Sequence, residues 1–237
     1  MPLPSPEPAA FTTTPRSVCF RRLSSIATVR PFEIDTALSA RHQAGLAALL
    51  PILGCGEEAA MLAFDALAAS VDDDPAGRAA LASIARDEDR HDDLITRLRA
   101  ALPEPPDQRE TLSMARRFHL NLGRGTTAVR LARIAALDSA VCTVLSRLLH
   151  RNSALTCAPA VHGALSAIWQ DEARHVAISR RLALARADGT MLRPLAIQAR
   201  KALAEILLLA GTALENLEVD PELLVRDVRR LPAGLLA

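Results

Sequence analysis

Apolar residues recur along most of the chain at the three- and four-residue spacing of an amphipathic helix. No stretch shows the two-residue alternation that is typical of a half-buried strand. The helical pattern starts near Phe32 and is interrupted only where proline, glycine or clusters of small polar residues stand, which end helices or connect them. The pattern therefore predicts an all-α protein.

The interruptions divide the chain into separate predicted helices. Pro51, Gly54 and Gly56 break the first apolar stretch, Pro75 suits the first position of a new helix, and Gly189 suits a helix end. The predicted helices cover residues 32–50, 56–71, 75–101, 108–122, 126–151, 158–187 and 193–217, with a short helix after Pro221.

The predicted helices form one domain that follows an N-terminal extension. Residues 1–30 are rich in proline and threonine, so we expect a flexible arm there. Residues 31–237 are long enough for a single hydrophobic core. Within this domain, Pro103–Pro106 are predicted to link two halves, and residues 193–230 to form C-terminal helices.

Composition narrows the class of protein. Half of the residues are hydrophobic, aromatic residues make up 3%, and tyrosine is absent, which favours helices over sheets. A net charge of +1 indicates neither a nucleic-acid partner nor a membrane surface. We find neither a secretory signal nor an 18-residue apolar run, and we expect a cytoplasmic protein without a membrane partner. Its four cysteines lack C-x-x-C spacing and are expected to be free thiols.

One polar pattern occurs twice. Asp87–His91 and Asp171–His175 both read Asp-Glu-x-Arg-His. On a helix, the glutamate and the histidine three residues later lie on one face. Two such helices, with one carboxylate from each of two other helices, make a dinuclear metal site. A charged, solvated helix face explains Asp89, Asp92 and Asp93, but it does not explain why the pattern recurs.

Two further acids stand in apolar helical sequence. Asp138 is the only acid in the predicted helix 126–151, and a carboxylate there is costly unless it is paired or binds a cation. In the predicted helix 56–71, Glu57 shares its face with apolar residues, whereas Glu58 shares its face with a leucine and an aspartate. The pattern favours Glu57 as the ligand and leaves Glu58 as the alternative.

These residues resemble a known superfamily. Gly56–Ala60, with Phe64 and Ala68, resembles the first ligand helix of rubrerythrins and bacterial multicomponent monooxygenases. The repeated Asp-Glu-x-Arg-His resembles the histidine-bearing helices of soluble methane monooxygenase-type hydroxylases. The resemblance covers residues 56–187. It implies a ferritin-like four-helix bundle with additional flanking helices.

The resemblance also implies which residues bind metal. Three ligands would hold each ion, namely Glu57, Glu88 and His91 for one and Asp138, Glu172 and His175 for the other. Glu88 and Glu172 would bridge the two ions. Around them, Asp87 would hold His175, Asp171 would hold His91, and Arg90 and Arg174 would brace the two aspartates. Asp138 stands where the family usually has glutamate, so its side chain is one methylene group shorter.

The function that this resemblance implies is that of a non-haem di-iron oxygenase or oxidase. Two iron ions, or manganese, would be the cofactor, O2 the co-substrate and a small organic molecule the substrate, with an external electron donor. We expect no catalytic residue beyond the metal ligands, and a homodimer is compatible with the sequence. The alternatives are a redox-defence enzyme similar to manganese catalases or peroxidases, and a ferritin-like iron-storage protein.

Overall fold

The computed structural model describes residues 19–20, 32, 38–71 and 74–237. These residues form eight α-helices and one 3-10 turn, without a strand among them, which confirms the all-α prediction. The helices are α1 (Ala40–Ser70), α2 (Pro75–Ala100), α3 (Arg109–Leu122), α4 (Thr127–Leu148), α5 (Pro159–Leu184), α6 (Gly189–Leu209), α7 (Gly211–Asn216) and α8 (Pro221–Arg229). The predicted arm, residues 1–30, lies outside the described residues apart from Cys19 and Phe20.

Local signals explain several helix starts. Asp74 precedes Pro75 and accepts a hydrogen bond from the backbone N–H of Gly77 at 2.7 Å, which caps α2. Thr126 accepts a hydrogen bond from the N–H of Val129 and caps α4 in the same way. These caps satisfy donors that the first helical turn leaves without an intrahelical partner.

Helix α1 is continuous, so the predicted break at Pro51, Gly54 and Gly56 is wrong. Pro51 removes one backbone hydrogen bond, but it is buried with its apolar neighbours Leu50 and Ile52, and this packing outweighs the loss. A Cβ added at Gly54 would lie 3.2 Å from Cγ2 of Ile95. The small residue therefore allows α2 to pack closely instead of ending α1.

The C-terminal helices also differ from the prediction. Gly189 begins α6 and does not end α5, which stops at Leu184. The cause is Asp188, whose carboxylate accepts a hydrogen bond from the N–H of Thr190 at 2.8 Å and caps the new helix. The predicted helix at 193–217 is divided at Ala210 into α6 and α7.

Two hydrophobic clusters fill the interior, and polar side chains lie between them. Helices α1 and α2 pack against each other as one hairpin, α4 and α5 pack as another, and α2 contacts α5. One cluster contains Leu50, Ile95 and Ile168; the other contains Phe64 and Leu131. Each of the four helices passes from one cluster to the other, and the buried acids and histidines stand where the clusters meet.

Glu57 and Glu58 interrupt the apolar sequence of helix α1, so the helix has no unbroken 18-residue apolar run, but its mean hydropathy is high. It contains an 18-residue window with a mean hydropathy of 1.5, so by length and composition it could cross a membrane. However, 67% of that window is buried within the protein. Its hydropathy is therefore that of a core helix that packs on its neighbours.

The expectation of four free thiols is wrong for one pair. Cys19 and Cys55 form a disulfide with a Cα–Cα distance of 5.3 Å. Only Cys142, which is half-buried, and Cys157, which is exposed, are free. Because the bond joins residues 36 positions apart through tertiary packing, their spacing gave no sign of it. Because disulfides are rare in reducing compartments, this bond does not support the expected cytoplasmic location.

Candidate metal centre

Six buried side chains from four helices meet at the level where the two hydrophobic clusters adjoin. Each has an exposed fraction of 5% or less. They are Glu57 of α1, Glu88 and His91 of α2, Asp138 of α4, and Glu172 and His175 of α5. Four carboxyl groups at such a depth are costly unless opposite charges or metal ions compensate them.

His91 lies at the centre of the most compact part of this group. Its Nδ1 is 3.2 Å from Oε2 of Glu57 and 3.3 Å from Oε2 of Glu88. The same nitrogen is 3.8 Å from Oε1 of Glu172. One potential ligand atom from each of these four residues lies within 4.8 Å of the others, so the group could hold a metal ion.

His175 occupies the corresponding position on α5. Its Nδ1 lies 3.0 Å from Oε1 of Glu88 and 3.8 Å from Oε1 of Glu172. The centroids of the His91 and His175 rings are 5.9 Å apart. Glu88 therefore stands between the two imidazoles and presents one carboxylate oxygen to each of them.

Several buried atoms of this group have no hydrogen-bond partner among the described residues. They are Oδ2 of Asp138, Oε1 of Glu88 and Nδ1 of His175. The last two lie 3.0 Å apart without the geometry of a hydrogen bond. Buried polar atoms normally have a hydrogen-bond partner. Carboxylate oxygens and an imidazole nitrogen all offer lone pairs, so a cation is a partner that these three atoms could bind together. The residues present therefore fit a metal site.

The pKa values of the buried acids also indicate a metal site. Burial, with the charge of Glu88 added, raises the pKa of Glu57 to about 8. Burial and neighbouring carboxylates raise the pKa of Asp138 and Glu172 well above its usual range. Burial opposes ionisation of Glu88 too, but its contacts with both histidines lower its pKa to about 2. The metal-free site thus retains protons that a divalent cation can replace.

An outer pair of aspartates contacts the other nitrogen of each histidine. Nε2 of His91 lies 3.1 Å from Oδ2 of Asp171, and Nε2 of His175 lies 3.5 Å from Oδ2 of Asp87. Each aspartate thus reaches the histidine of the opposite helix, as the resemblance implied. These contacts leave both Nδ1 atoms facing the carboxylates, and they favour the tautomer that can bind a metal through Nδ1.

Two arginines close this outer arrangement. Arg90 donates to Asp87 at 2.9 Å and to Asp171 at 2.7 Å. Arg174 lies 2.6 Å from Asp87 and 3.0 Å from Asp171. Both guanidinium side chains are about half exposed, whereas the aspartates are mostly buried. The four residues form a closed ring of opposite charges between the histidines and solvent, and the ring fixes both aspartates.

The two candidate acids of α1 have different surroundings. Glu57 reaches His91, whereas Glu58 accepts a hydrogen bond from the backbone N–H of Phe20 at 2.9 Å. Glu58 is nevertheless buried, with 1% exposure, although the sequence placed it on the more polar face. Its burial is explained by the packing of Cys19 and Phe20 over α1, which no helical pattern could reveal.

A cavity beside the carboxylates has no signal in the sequence. It has a volume of ≈ 50 Å³, and Glu57, Glu88, Asp138 and Glu172 line it together with apolar side chains. His119 of α3 lies at the same cavity. Burial lowers the pKa of His119 to about 4, so its imidazole is neutral at pH 7. The cavity is large enough for a few water-sized molecules next to the potential ligands.

A scan against protein-family models and a search of curated proteins each find no match to the chain. Its function must therefore be inferred from the site.

Two imidazoles among four carboxylates suit divalent iron or manganese, and they also accept zinc or cobalt.

The outer aspartates give a prediction that separates their role from that of ligands. Asp171→Asn and Asp87→Asn should each lower metal affinity about 10- to 100-fold, because an amide carries no charge to favour the polarised imidazole. Competition with a chromophoric chelator would measure this change. Asp93→Asn, an exposed position on the same helix as Asp87, is the matched control. Wild-type affinity in both outer variants would show that the aspartates do not support the ligands.

Proposed function

We propose that the protein is a non-haem dinuclear metal oxidoreductase that uses O2 to oxidise a small organic substrate. In this proposal α1, α2, α4 and α5 are the four helices of a ferritin-like bundle, and the remaining helices flank it. The observation that carries the proposal is the position of Glu88, whose two carboxylate oxygens face two different histidines. A carboxylate placed in this way suits a bridge between two metal ions.

The other ligands divide between the two ions in a consistent way. Glu57 contacts His91, so these two residues would belong to one ion. His175 and Asp138, which both have a buried atom without a hydrogen-bond partner among the described residues, would belong to the other. Glu172 lies 3.8 Å from each histidine and would be the second bridge. Two iron ions in such a site would supply the electrons for a two-electron reduction of O2.

The surrounding residues would keep water from the oxidising site. Apolar clusters lie on both sides of the ligands, and the ring of Asp87, Arg90, Asp171 and Arg174 closes the outer side. Exclusion of water strengthens the electrostatic interactions inside the site and prevents side reactions. Because the sequence has no C-x-x-C pair for an internal redox centre, we propose that an external donor supplies the electrons.

The size of the cavity favours a second candidate function. A cavity of ≈ 50 Å³ admits O2 or hydrogen peroxide but not a typical organic ligand. A redox-defence enzyme that removes peroxide with two manganese ions would need no larger space.

Anaerobic reconstitution followed by mixing with O2 would test the proposal. The metal-depleted protein should bind about two Fe(II) per chain and then consume O2 rapidly, with an optical change on the millisecond to second timescale. A failure to bind two ions would contradict it. Rapid release of O2 from peroxide by the manganese-loaded protein would favour the second candidate. Oxidation of iron far beyond two ions per chain would instead indicate storage.

A further inference from the structure

A surface groove lies immediately outside the cavity at the carboxylates. The groove has a volume of ≈ 490 Å³ and is formed by residues of α3, α4 and α6. Ile206 lines both the groove and the cavity. On α3, Ala115 and His119 line the cavity, whereas the adjacent residues Met114 and Phe118 line the groove. A single layer of side chains therefore separates the two spaces.

The groove has the size and the apolar surface of an organic-ligand site. Its volume lies within the range of small-molecule pockets, roughly 300 to 1,000 Å³, whereas the inner cavity is far smaller. Apolar side chains form much of its surface: Phe118, Leu122, Leu195, Ala199, Ala202 and Ile206. An apolar molecule with several carbon atoms would fit along this surface.

Two arginines give the groove a positive charge. Arg117 donates to the hydroxyl of Ser113 at 3.0 Å, and Arg133 donates to the carbonyl oxygen of Arg124 at 2.8 Å. Neither guanidinium is paired with a carboxylate among the described residues. Glu205, the one acid among the described residues that line the groove, is paired with Arg229 at 2.6 Å. Since a guanidinium has five N–H donors, both arginines retain donors for an anion.

We propose that this groove binds the organic substrate of the metal centre, and that the substrate is an amphipathic monocarboxylate. Arg117 and Arg133 hold its carboxylate, and its apolar body lies on the groove surface with the far end toward Ile206 and the cavity. This identification of a substrate rests on the proposed function, whereas binding itself does not.

The geometry of α4 limits which part of the molecule would reach the metals. Arg133 precedes Asp138 by five residues on this helix, which corresponds to about 7.5 Å along its axis. A carboxylate at Arg133 thus places the oxidised carbon several bonds away from the carboxyl group. A medium-chain carboxylate meets this requirement, so octanoate is a suitable probe.

Calorimetric titration of the full-length protein, as purified and after metal reconstitution, would test the proposal. Octanoate should bind, whereas octan-1-ol and octyltrimethylammonium should bind more weakly because they lack the carboxylate. The double variant Arg117→Gln, Arg133→Gln should bind octanoate about tenfold more weakly, which corresponds to about 1.4 kcal/mol. The double variant Arg151→Gln, Arg230→Gln, which removes two exposed arginines outside the groove, is the control for net charge and should bind as the wild type does.

A variant that fills the groove gives an independent check. Ala202 is exposed on the groove surface, so Ala202→Trp should abolish octanoate binding without disturbing the core. Equal affinities for octanoate and octan-1-ol, or wild-type octanoate affinity in the double arginine variant, would overturn the proposal. Self-association of the protein would also overturn the proposal if Ala202→Trp abolished it and octanoate did not affect it. A second copy of the chain would then occupy the groove.

The same experiments separate this proposal from the proposed function. Arg117 and Arg133 lie outside the ligand set, so the double variant should retain the metal content of the wild type. Octanoate binding by a protein that takes up no metal would support the groove and contradict the metal centre. Two bound metal ions without octanoate binding would support the metal centre and contradict the groove as a binding site.

Discussion

Glu88→Ala is expected to abolish binding of both metal ions, reducing the metal content from about two per chain to nearly none. The reason is that the two oxygens of Glu88 face different histidines, at 3.3 Å from His91 and 3.0 Å from His175. Glu172→Ala should have the same effect. His91→Ala should weaken one ion first, because His91 contacts Glu57 at 3.2 Å and these two residues would hold only one of the two ions. Elemental analysis after dialysis, with circular dichroism to verify folding, would measure these effects.

Glu58 provides a control for the removal of a buried acid. Glu58→Ala removes a side chain that is as buried as Glu88, but its carboxylate accepts a hydrogen bond from the backbone N–H of Phe20, whereas Glu88 faces the two histidines. We expect this variant to keep both ions. If Glu88→Ala folds and still holds two ions, Glu88 does not bridge them. If Glu58→Ala loses the metals while Glu57→Ala retains them, the ligand on α1 is Glu58.

Arg200→Met is expected to lower the free energy of unfolding by about 3 kcal/mol, more than most single substitutions do. The Arg200 guanidinium is buried and donates to the carbonyl oxygens of Val228 at 2.6 Å and Ala136 at 3.0 Å, and to the hydroxyl of Ser139 at 3.0 Å. Burial lowers its pKa to about 10, so it remains charged at neutral pH. Methionine fills part of the volume but leaves these acceptors without their donor.

Thermal and denaturant unfolding would measure this change. For a chain of this size, the expected loss corresponds to a decrease in Tm of roughly 6–12 °C. Lys201→Met, a change at the neighbouring exposed residue, is the matched control and should alter stability by less than about 0.5 kcal/mol. A comparable small effect in Arg200→Met would show that this arginine does not hold α6, α8 and α4 together.

The candidate site was more accessible to sequence reasoning than its surroundings. Glu88 and His91 lie on one helical face because of their spacing alone, and the same holds for Glu172 and His175. Asp138 stood out because an acid in an apolar helix needs compensation. Such signals depend on residues that are close together in the sequence, so they can be recognised without the tertiary structure.

The features that the sequence did not reveal depend on contacts between distant segments. Pro51 has the same local preference whether or not its helix is buried, and only packing keeps α1 continuous there. The bond between Cys19 and Cys55, and the burial of Glu58 beside it, require Cys19 and Phe20 to lie on α1. The role of Arg200 likewise depends on carbonyl groups contributed by two other helices.

In the proposed metal site, the ring formed by Asp87, Arg90, Asp171 and Arg174 would link metal binding to folding. Asp87 contacts a histidine 88 positions later in the chain, so the ring closes only after the two helical hairpins have docked. Each hairpin orients the histidine of the other, and local opening of either one would remove support from both histidines. Opening of either hairpin should therefore release both of the proposed ions together. Since they select the fully docked state, free metal ions would stabilise the whole fold by mass action.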